Sequence, residues 1–325
     1  MLLCAILLLC GCESADVGII QGADNDSYTA VHEIDHCAVE PDDKLHMDEQ
    51  DTAHYQKLMD ALLSRKESIK LSDNKDKNEY YLDLLKQSPY YFFAKSCTLD
   101  GDTATFTYAY SEEEQQDMLD FLDSKFLGIV NSNASENDNE LDKILNIYGA
   151  VARSMTYDHT RKDNKQLDSP LFSYPSDEIY KALKDEKSVC YGFAYTLRFA
   201  LLQAGIDCFC VYGPCSAHGE GHMWNIFEWE GNYYTCDSAW DRSDDGYAQL
   251  FHFGKTDKER EADTLERTGF SSTFFDEYGK VECVDDTFKI FRGVDRFTYV
   301  SPHTYYIVYY DKSDEVFDTQ TLKMK

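Results

Sequence analysis

Apolar residues first recur at helical spacing at Tyr55, Leu58, Met59 and Leu62, the three-and-four step that buries one face of a helix. A second helix is predicted over 79–86, stopped before Ser88-Pro89 because the residue preceding a proline avoids helical backbone. The period then changes to two. The runs 91–99 and 103–110 are aromatic and β-branched, are joined by Asp100-Gly101-Asp102, and place Ala104, Phe106, Tyr108 and Tyr110 in alternation with polar residues. That pattern predicts a hairpin with one buried face. Ser111 and Glu114 carry a capping-box signature opening a helix to about Val130. A polar break follows over 131–139, so 46–130 reads as an α/β segment without chemistry of its own.

Beyond the break, Leu141, Ile144, Leu145, Tyr148, Val151 and Ala152 predict another helix. The stretch 157–174 is irregular and rich in Asp, Lys and Asn; so long a loop in a compact domain suits the wall of a substrate cleft. From Cys190 onward Phe193, Leu197, Ala200, Leu201 and Ala204 mark one helix face, and Gly205 stands where a C-terminal cap belongs. Two strand-like runs, 221–229 and 232–237, flank Glu230-Gly231. Alternating tyrosines and β-branched residues over 297–310 read as strands that finish the sheet. The pattern is that of an α+β chain in five parts: a leader 1–11, a tether 12–45, the segment 46–130, a core 131–283 and C-terminal strands 284–325.

Composition changes this picture in two places. With 24 Tyr and 19 Phe in 325 residues the chain is far too aromatic to be disordered. Its formal charge of −29 opposes phosphate backbones, which removes nucleic acid from the expected partners. The N-terminus adds a destination. Met1 to Leu9 is apolar but much shorter than the roughly 20 residues a membrane span needs, which suits an export signal. Leu9-Cys10-Gly11-Cys12 resembles a bacterial lipobox, and that resemblance implies lipid on Cys12 and a mature chain anchored to the outer face of the bacterial cytoplasmic membrane. An ordinary secretory signal cleaved nearby is the alternative, and either way export is expected. Of eleven cysteines, setting aside Cys4, Cys10, Cys12 and Cys190 leaves Cys37, Cys97, Cys208, Cys210, Cys215, Cys236 and Cys283. Seven is odd, and sequence gives no pairing.

The chemistry gathers around Cys190, in the first turn of a buried helix. A helix N-terminus favours an anion by only ~0.3–1 kcal/mol, so a thiolate there needs an imidazolium as well. A core cysteine or half a disulfide is the plainer reading of such a residue. A partner stands downstream. With a two-residue turn at Glu230-Gly231, Trp229 faces Asn232 and Trp224 faces Asp237. His222 and Asp237 then share a face as diagonal neighbours, so the carboxylate can orient an imidazole whose other nitrogen takes a thiol proton. Competing sites are weaker. Cys208, Cys210, Cys215, His218 and His222 form a Cys/His cluster, but its Cys-x-Cys start does not match common zinc knuckles. His218 is a rival base that lies in a Gly-flanked turn, outside a His-x-Trp-Asn context. Asp241, Asp244 and Asp245 before Gly246 fall short of a calcium loop and read as a solvated acidic turn.

Val189-Cys190-Tyr191-Gly192-Phe193-Ala194, His222-Met223-Trp224-Asn225 and Asp237-Ser238-Ala239-Trp240-Asp241 together resemble the core of the transglutaminase-like superfamily. Met155-Thr156-Tyr157-Asp158 resembles the end of the helix preceding that core, and 247–253 the strand after it. The likeness spans roughly 140–255. It implies a papain-like arrangement, with a nucleophile-bearing helix on an antiparallel sheet, and the roles of nucleophile for Cys190, base for His222 and orienter for Asp237. Tyr191 stands where bacterial relatives often have a polar residue. The backbone N–H of Cys190 is the first candidate oxyanion donor. No cofactor or metal is expected. The expected activity is thioester formation on a protein or peptide, followed by hydrolysis of peptide or isopeptide bonds. An amine acceptor would make the chain a transglutaminase, and an envelope binding module retaining the triad is the non-enzymatic alternative. Oligomeric state is not legible.

Overall fold

The computed structural model describes residues 31, 33–39, 47–162, 178–215, 220–263, 269–270 and 281–324. The leader, Cys12, most of the tether, most of the 157–174 loop and His218 lie outside the described residues.

The first unit follows the hydrophobic pattern closely. Helix α1 (Glu49–Leu63) starts at a capping box between Asp48 and Asp51 and buries Tyr55, Leu58, Met59 and Leu62. After β1 (Ser68–Lys70) comes α2 (Lys75–Lys86), which begins earlier than its apolar pattern because Asn74 caps the Lys77 N–H. Residues Tyr91–Phe93 form a 3-10 turn rather than the start of a strand, with Phe92 and Phe93 buried beneath it. The hairpin is β2 (Ala94–Asp100) and β3 (Thr103–Tyr108), with β1 on the other side of β3. Helix α3 (Glu112–Asn131) opens on the Ser111–Glu114 capping box that the sequence predicts.

The second unit comprises α4 (Glu140–Ser154), β4 (Thr156–Tyr157), α5 (His159–Lys162), α6 (Glu178–Asp185), β5 (Lys187–Ser188) and α7 (Cys190–Gln203). Four strands follow, β6 (Cys208–Cys215), β7 (Glu220–Trp229), β8 (Asn232–Cys236) and β9 (Gly269–Phe270), with α8 (Asp257–Ala262) between the last two. Their antiparallel order is β8-β7-β6-β9. Helix α7 is buried from Cys190 through Leu201, and a helix apolar on every side belongs in a core. It lies against β6 and β7 and is packed by α3, α4 and α6. Phe199 is its link to the first unit, meeting Phe126 at 4.6 Å and Tyr90 at 5.8 Å between ring centroids. The α+β class and the helix-on-sheet core are as expected.

Two expectations are corrected. The C-terminal strands β10 (Val294–Ser301), β11 (Thr304–Tyr309), β12 (Asp314–Asp318) and β13 (Lys323–Met324) do not complete the core sheet but make one of their own. Alternation specifies that a segment is a strand, not which edge it joins. This sheet docks on α4 through buried Asp142, which accepts from the Thr319 hydroxyl at 2.8 Å and the His303 N–H at 3.1 Å. Residues 247–253 are not a strand: Ala248 makes a single bridge to Arg242, and 251–253 are turns. The Asp241 carboxylate takes the His252 N–H, and its carbonyl takes that of Gln249, so these donors are lost to a ladder.

Candidate active site

The chain entering α7 is held by a short parallel pairing, Thr156 with Lys187 and Tyr157 with Ser188, extended by a 2.8 Å bond from the Asp158 N–H to the Ser188 carbonyl. Val189 is extended and offers no side-chain cap. The start of the helix, at Cys190, therefore has no capping side chain from Val189. Gly192 permits this close approach. A Cβ there would meet the Ser188 Cβ at 2.6 Å and the Ala182 Cβ at 3.0 Å, and would strike the Ser188 hydroxyl harder still. Gly192→Ala is accordingly expected to cost about 1–3 kcal/mol by overpacking and to displace Cys190. Urea midpoints and Cys190 alkylation check this, and native-like values for both would show that β5 yields freely.

The hairpin that carries the partners has the two-residue turn anticipated. Glu230 and Gly231 both take positive φ, +50° and +76°, the turn whose twist matches paired strands. Trp229 pairs with Asn232, and the ladder ends at Asn225 with Cys236. Asp237 follows one residue past the ladder, where its Oδ1 accepts the Trp240 N–H at 3.1 Å. Its Oδ2 lies 2.7 Å from His222 Nε2. With Nε2 engaged there, Nδ1 is the ring nitrogen left to serve Cys190, whose side chain is near enough to favour the charged form of His222. Cys190, His222 and Asp237 are all buried. The three residues singled out by sequence are thus brought together in series, thiol to imidazole to carboxylate.

Residues that the sequence does not flag complete the setting. The Arg260 guanidinium reaches Asp237 Oδ2 at 2.8 Å and is, like that carboxylate, only 1% exposed. Trp240 lies 4.8 Å from the His222 ring and 5.2 Å from the Arg260 Cζ, and Trp224 lies 6.0 Å and 5.3 Å from the same groups. Asn225 ties β7 to α7 through a 2.9 Å bond to the Ala194 carbonyl. Asp241 is buried rather than part of a solvated turn, and takes the Tyr148 hydroxyl at 2.6 Å. Only its neighbours Asp244 and Asp245 are exposed. Cys208 and Cys210 are buried against Asn225, at 3.6 and 3.5 Å from its Nδ2. Cys37, Cys97, Cys190, Cys208, Cys210, Cys236 and Cys283 are thiols, not disulfides.

Burial by itself would disfavour the His222 imidazolium, but the Asp237 carboxylate and the Cys190 side chain outweigh it and push its pKa up from 6.5 to about 10. Burial likewise opposes the Asp237 carboxylate, yet His222, Arg260 and His252 hold it well below the usual range. The folded chain therefore binds the His222 proton more tightly than the unfolded chain does. That contribution to stability is complete below pH 6.5 and is lost as pH rises toward 10. The Asp237 contribution has the opposite sense, present above pH 3.8 and lost on acidification through its folded pKa. The urea midpoint is expected to fall from pH 6.5 to pH 10, and His222→Gln, uncharged throughout, should flatten that slope. An undiminished slope in the variant would assign the alkaline loss to other groups.

Comparison with known proteins places this geometry. A family profile described as "Transglutaminase-like superfamily" matches residues 129–240, an interval holding Cys190, His222 and Asp237. This chain carries a transglutaminase-like domain. The superfamily is one of cysteine enzymes, peptidases and transglutaminases among them. The transglutaminase-like match begins in the last turn of α3 and ends at Trp240, three residues beyond Asp237. Among solved structures the chain is similar to a TGase at 18% identity and a TM-score of 0.29, over 44% of this chain and 43% of that one. It is also similar to a candidate cysteine protease from Cytophaga hutchinsonii at 13% identity and a TM-score of 0.30, over 48% and 42% of the two chains. The overlap thus spans less than half of either structure's length. No curated protein matches the chain.

Proposed function

We propose that this chain is a cysteine acyl-transfer enzyme whose Cys190, His222 and Asp237 act as nucleophile, base and orienter in hydrolysing peptide or isopeptide bonds. The observation that carries the proposal is the buried His222 imidazole bound to the Asp237 carboxylate at 2.7 Å with the Cys190 side chain near it. In this reading His222 holds the thiol proton and the Cys190 sulfur attacks a carbonyl carbon. The Cys190 N–H, at the open helix end, faces the oxyanion that develops. His222 returns the proton to the leaving amine as the C–N bond breaks, which leaves a thioester on Cys190. The same imidazole then takes a proton from water, whose oxygen displaces the sulfur and releases a carboxylic acid. An amine in place of water would yield a new amide instead.

The export reading extends the proposal to place: a lipid on Cys12 and the tether would hold the enzyme off the outer face of the cytoplasmic membrane, acting on proteins or peptides there. No helix among the described residues is long and apolar enough to cross a membrane. A protein digest incubated with a fluorescent primary amine tests the chemistry in the native chain and in Cys190→Ala. New carboxyl termini without amine incorporation, absent in Cys190→Ala, are the expected result. Cys190-dependent amine incorporation would make the acceptor an amine. Neither product would leave a binding module with an idle triad.

A further inference from the structure

The triad reading accounts for His222 and Asp237 but not for the cation buried beside them. We propose that Arg260 is a positioning residue of this site, holding the Asp237 carboxylate in the orientation that serves His222 and taking a share of its negative charge. The inference rests on the triad reading and adds a fourth participant to it.

Arg260 Nη2 and His222 Nε2 lie 2.8 Å and 2.7 Å from the same oxygen, Asp237 Oδ2. Oδ1 is held separately by the Trp240 N–H at 3.1 Å, so neither carboxylate oxygen is free to turn. The guanidinium is itself immobilised. Its Nη1 donates to His252 Nδ1 at 3.0 Å, and Trp224 and Trp240 lie close to it, contacts that favour a cation. The helix carrying it, α8, is pinned from outside. Thr256 and Glu259 form its capping box, Glu259 pairs with Arg292 at 2.9 Å, and Asp257 accepts the Cys283 N–H at 2.9 Å. A buried ion pair contributes little net stability compared with apolar residues of similar volume. Packing alone therefore gives no reason for a guanidinium in a slot between two indoles.

The sign of its effect follows from the charges that face the pair. His222 meets Asp237 and, from α7, Cys190. Asp237 meets His222 and Arg260, with His252, Asp241 and Cys236 next. Asp263 lies 3.8 Å from Arg260 Nη1, 3.4 Å from His252 Nδ1 and 2.5 Å from Lys255. In the charged state one carboxylate thus serves two cations. Removing Arg260 gives its whole charge to His222 and also removes a neighbouring positive charge. Both changes make the imidazolium harder to deprotonate, which would weaken it as the acid that protonates a leaving amine.

The test is an NMR titration of the His222 ring in the full chain carrying Cys190→Ala, which removes the thiol from the titration. Arg260→Met, which keeps the stem and loses the charge, is expected to raise the His222 midpoint by about one pH unit or more. Arg260→Lys should stay within a few tenths of a unit of the Arg260 chain. Arg260→Gln, also uncharged, replaces the Met variant if that one fails to fold. An unchanged or lowered midpoint in the uncharged variants, or equal shifts with Met and Lys, would overturn the inference. Alkylation of Cys190 in the native chain reports separately on the triad, so an inert thiol and a silent Arg260 are distinguishable failures.

Discussion

Asp237→Ala is expected to lower the folding stability of this chain by about 3–5 kcal/mol, a large share of the 5–15 kcal/mol that typically holds a domain together. The size comes from what is stranded rather than from what is lost. Arg260 is 1% exposed with its Nη2 on the Asp237 carboxylate, and His222 is bonded to the same oxygen. Without the carboxylate a guanidinium and an imidazole stay buried, facing a cavity. His222 can shed its charge by deprotonating, but arginine cannot. Removing the cation as well should therefore recover much of the loss. In a double-mutant cycle with Arg260→Met, the pair Asp237→Ala/Arg260→Met is expected to cost clearly less than the sum of its parts. Additive urea-unfolding costs would show that the two side chains do not stabilise one another. Asp237→Asn, which keeps the volume, separates the charge from the cavity.

How much of this was legible in the sequence depended on whether the signal was local. The Ser111–Glu114 capping box, the burial of α7 and the turn at Glu230-Gly231 each depend on residues a few positions apart, and each appears as read. The turn matters most, since its length sets the parity that puts His222 and Asp237 within 2.7 Å. Arg260 was invisible for the converse reason. Its surroundings, Asp257-Lys258-Glu259-Arg260-Glu261, have the composition of a solvated helix, and its partner lies 23 residues upstream. Only the tertiary fold turns one charged residue of that run inward. Asp241 escaped in the same way, as one buried acid in an acidic stretch whose other members are exposed. The C-terminal tyrosines announced strands, but the choice of a separate sheet rests on Asp142 at the start of α4, more than 150 residues away from its partners His303 and Thr319.

The largest effect on reactivity is expected at Cys190, and it rests on the imidazole alone. A free thiol with a pKa of about 8.5 is only about 0.3% ionised at pH 6. An adjacent imidazolium favours the thiolate, the form that reacts. A gain of about 30-fold in labelling rate over a free thiol is the expectation for such a pairing. Three of the other thiols provide a quiet background. Burial pushes Cys37 up to about 12 and Cys97 up to about 11, and holds Cys236 well above the usual thiol range. The measurement that decides is iodoacetamide alkylation from pH 5 to pH 9 with peptide mapping, on the native chain and on His222→Ala. Fast labelling of Cys190 at pH 6 in the native chain, falling by about 30-fold in His222→Ala, is the predicted result. Labelling of Cys190 that is equally slow in both, or its recovery in a disulfide, would contradict the ion pair and with it the enzymatic function.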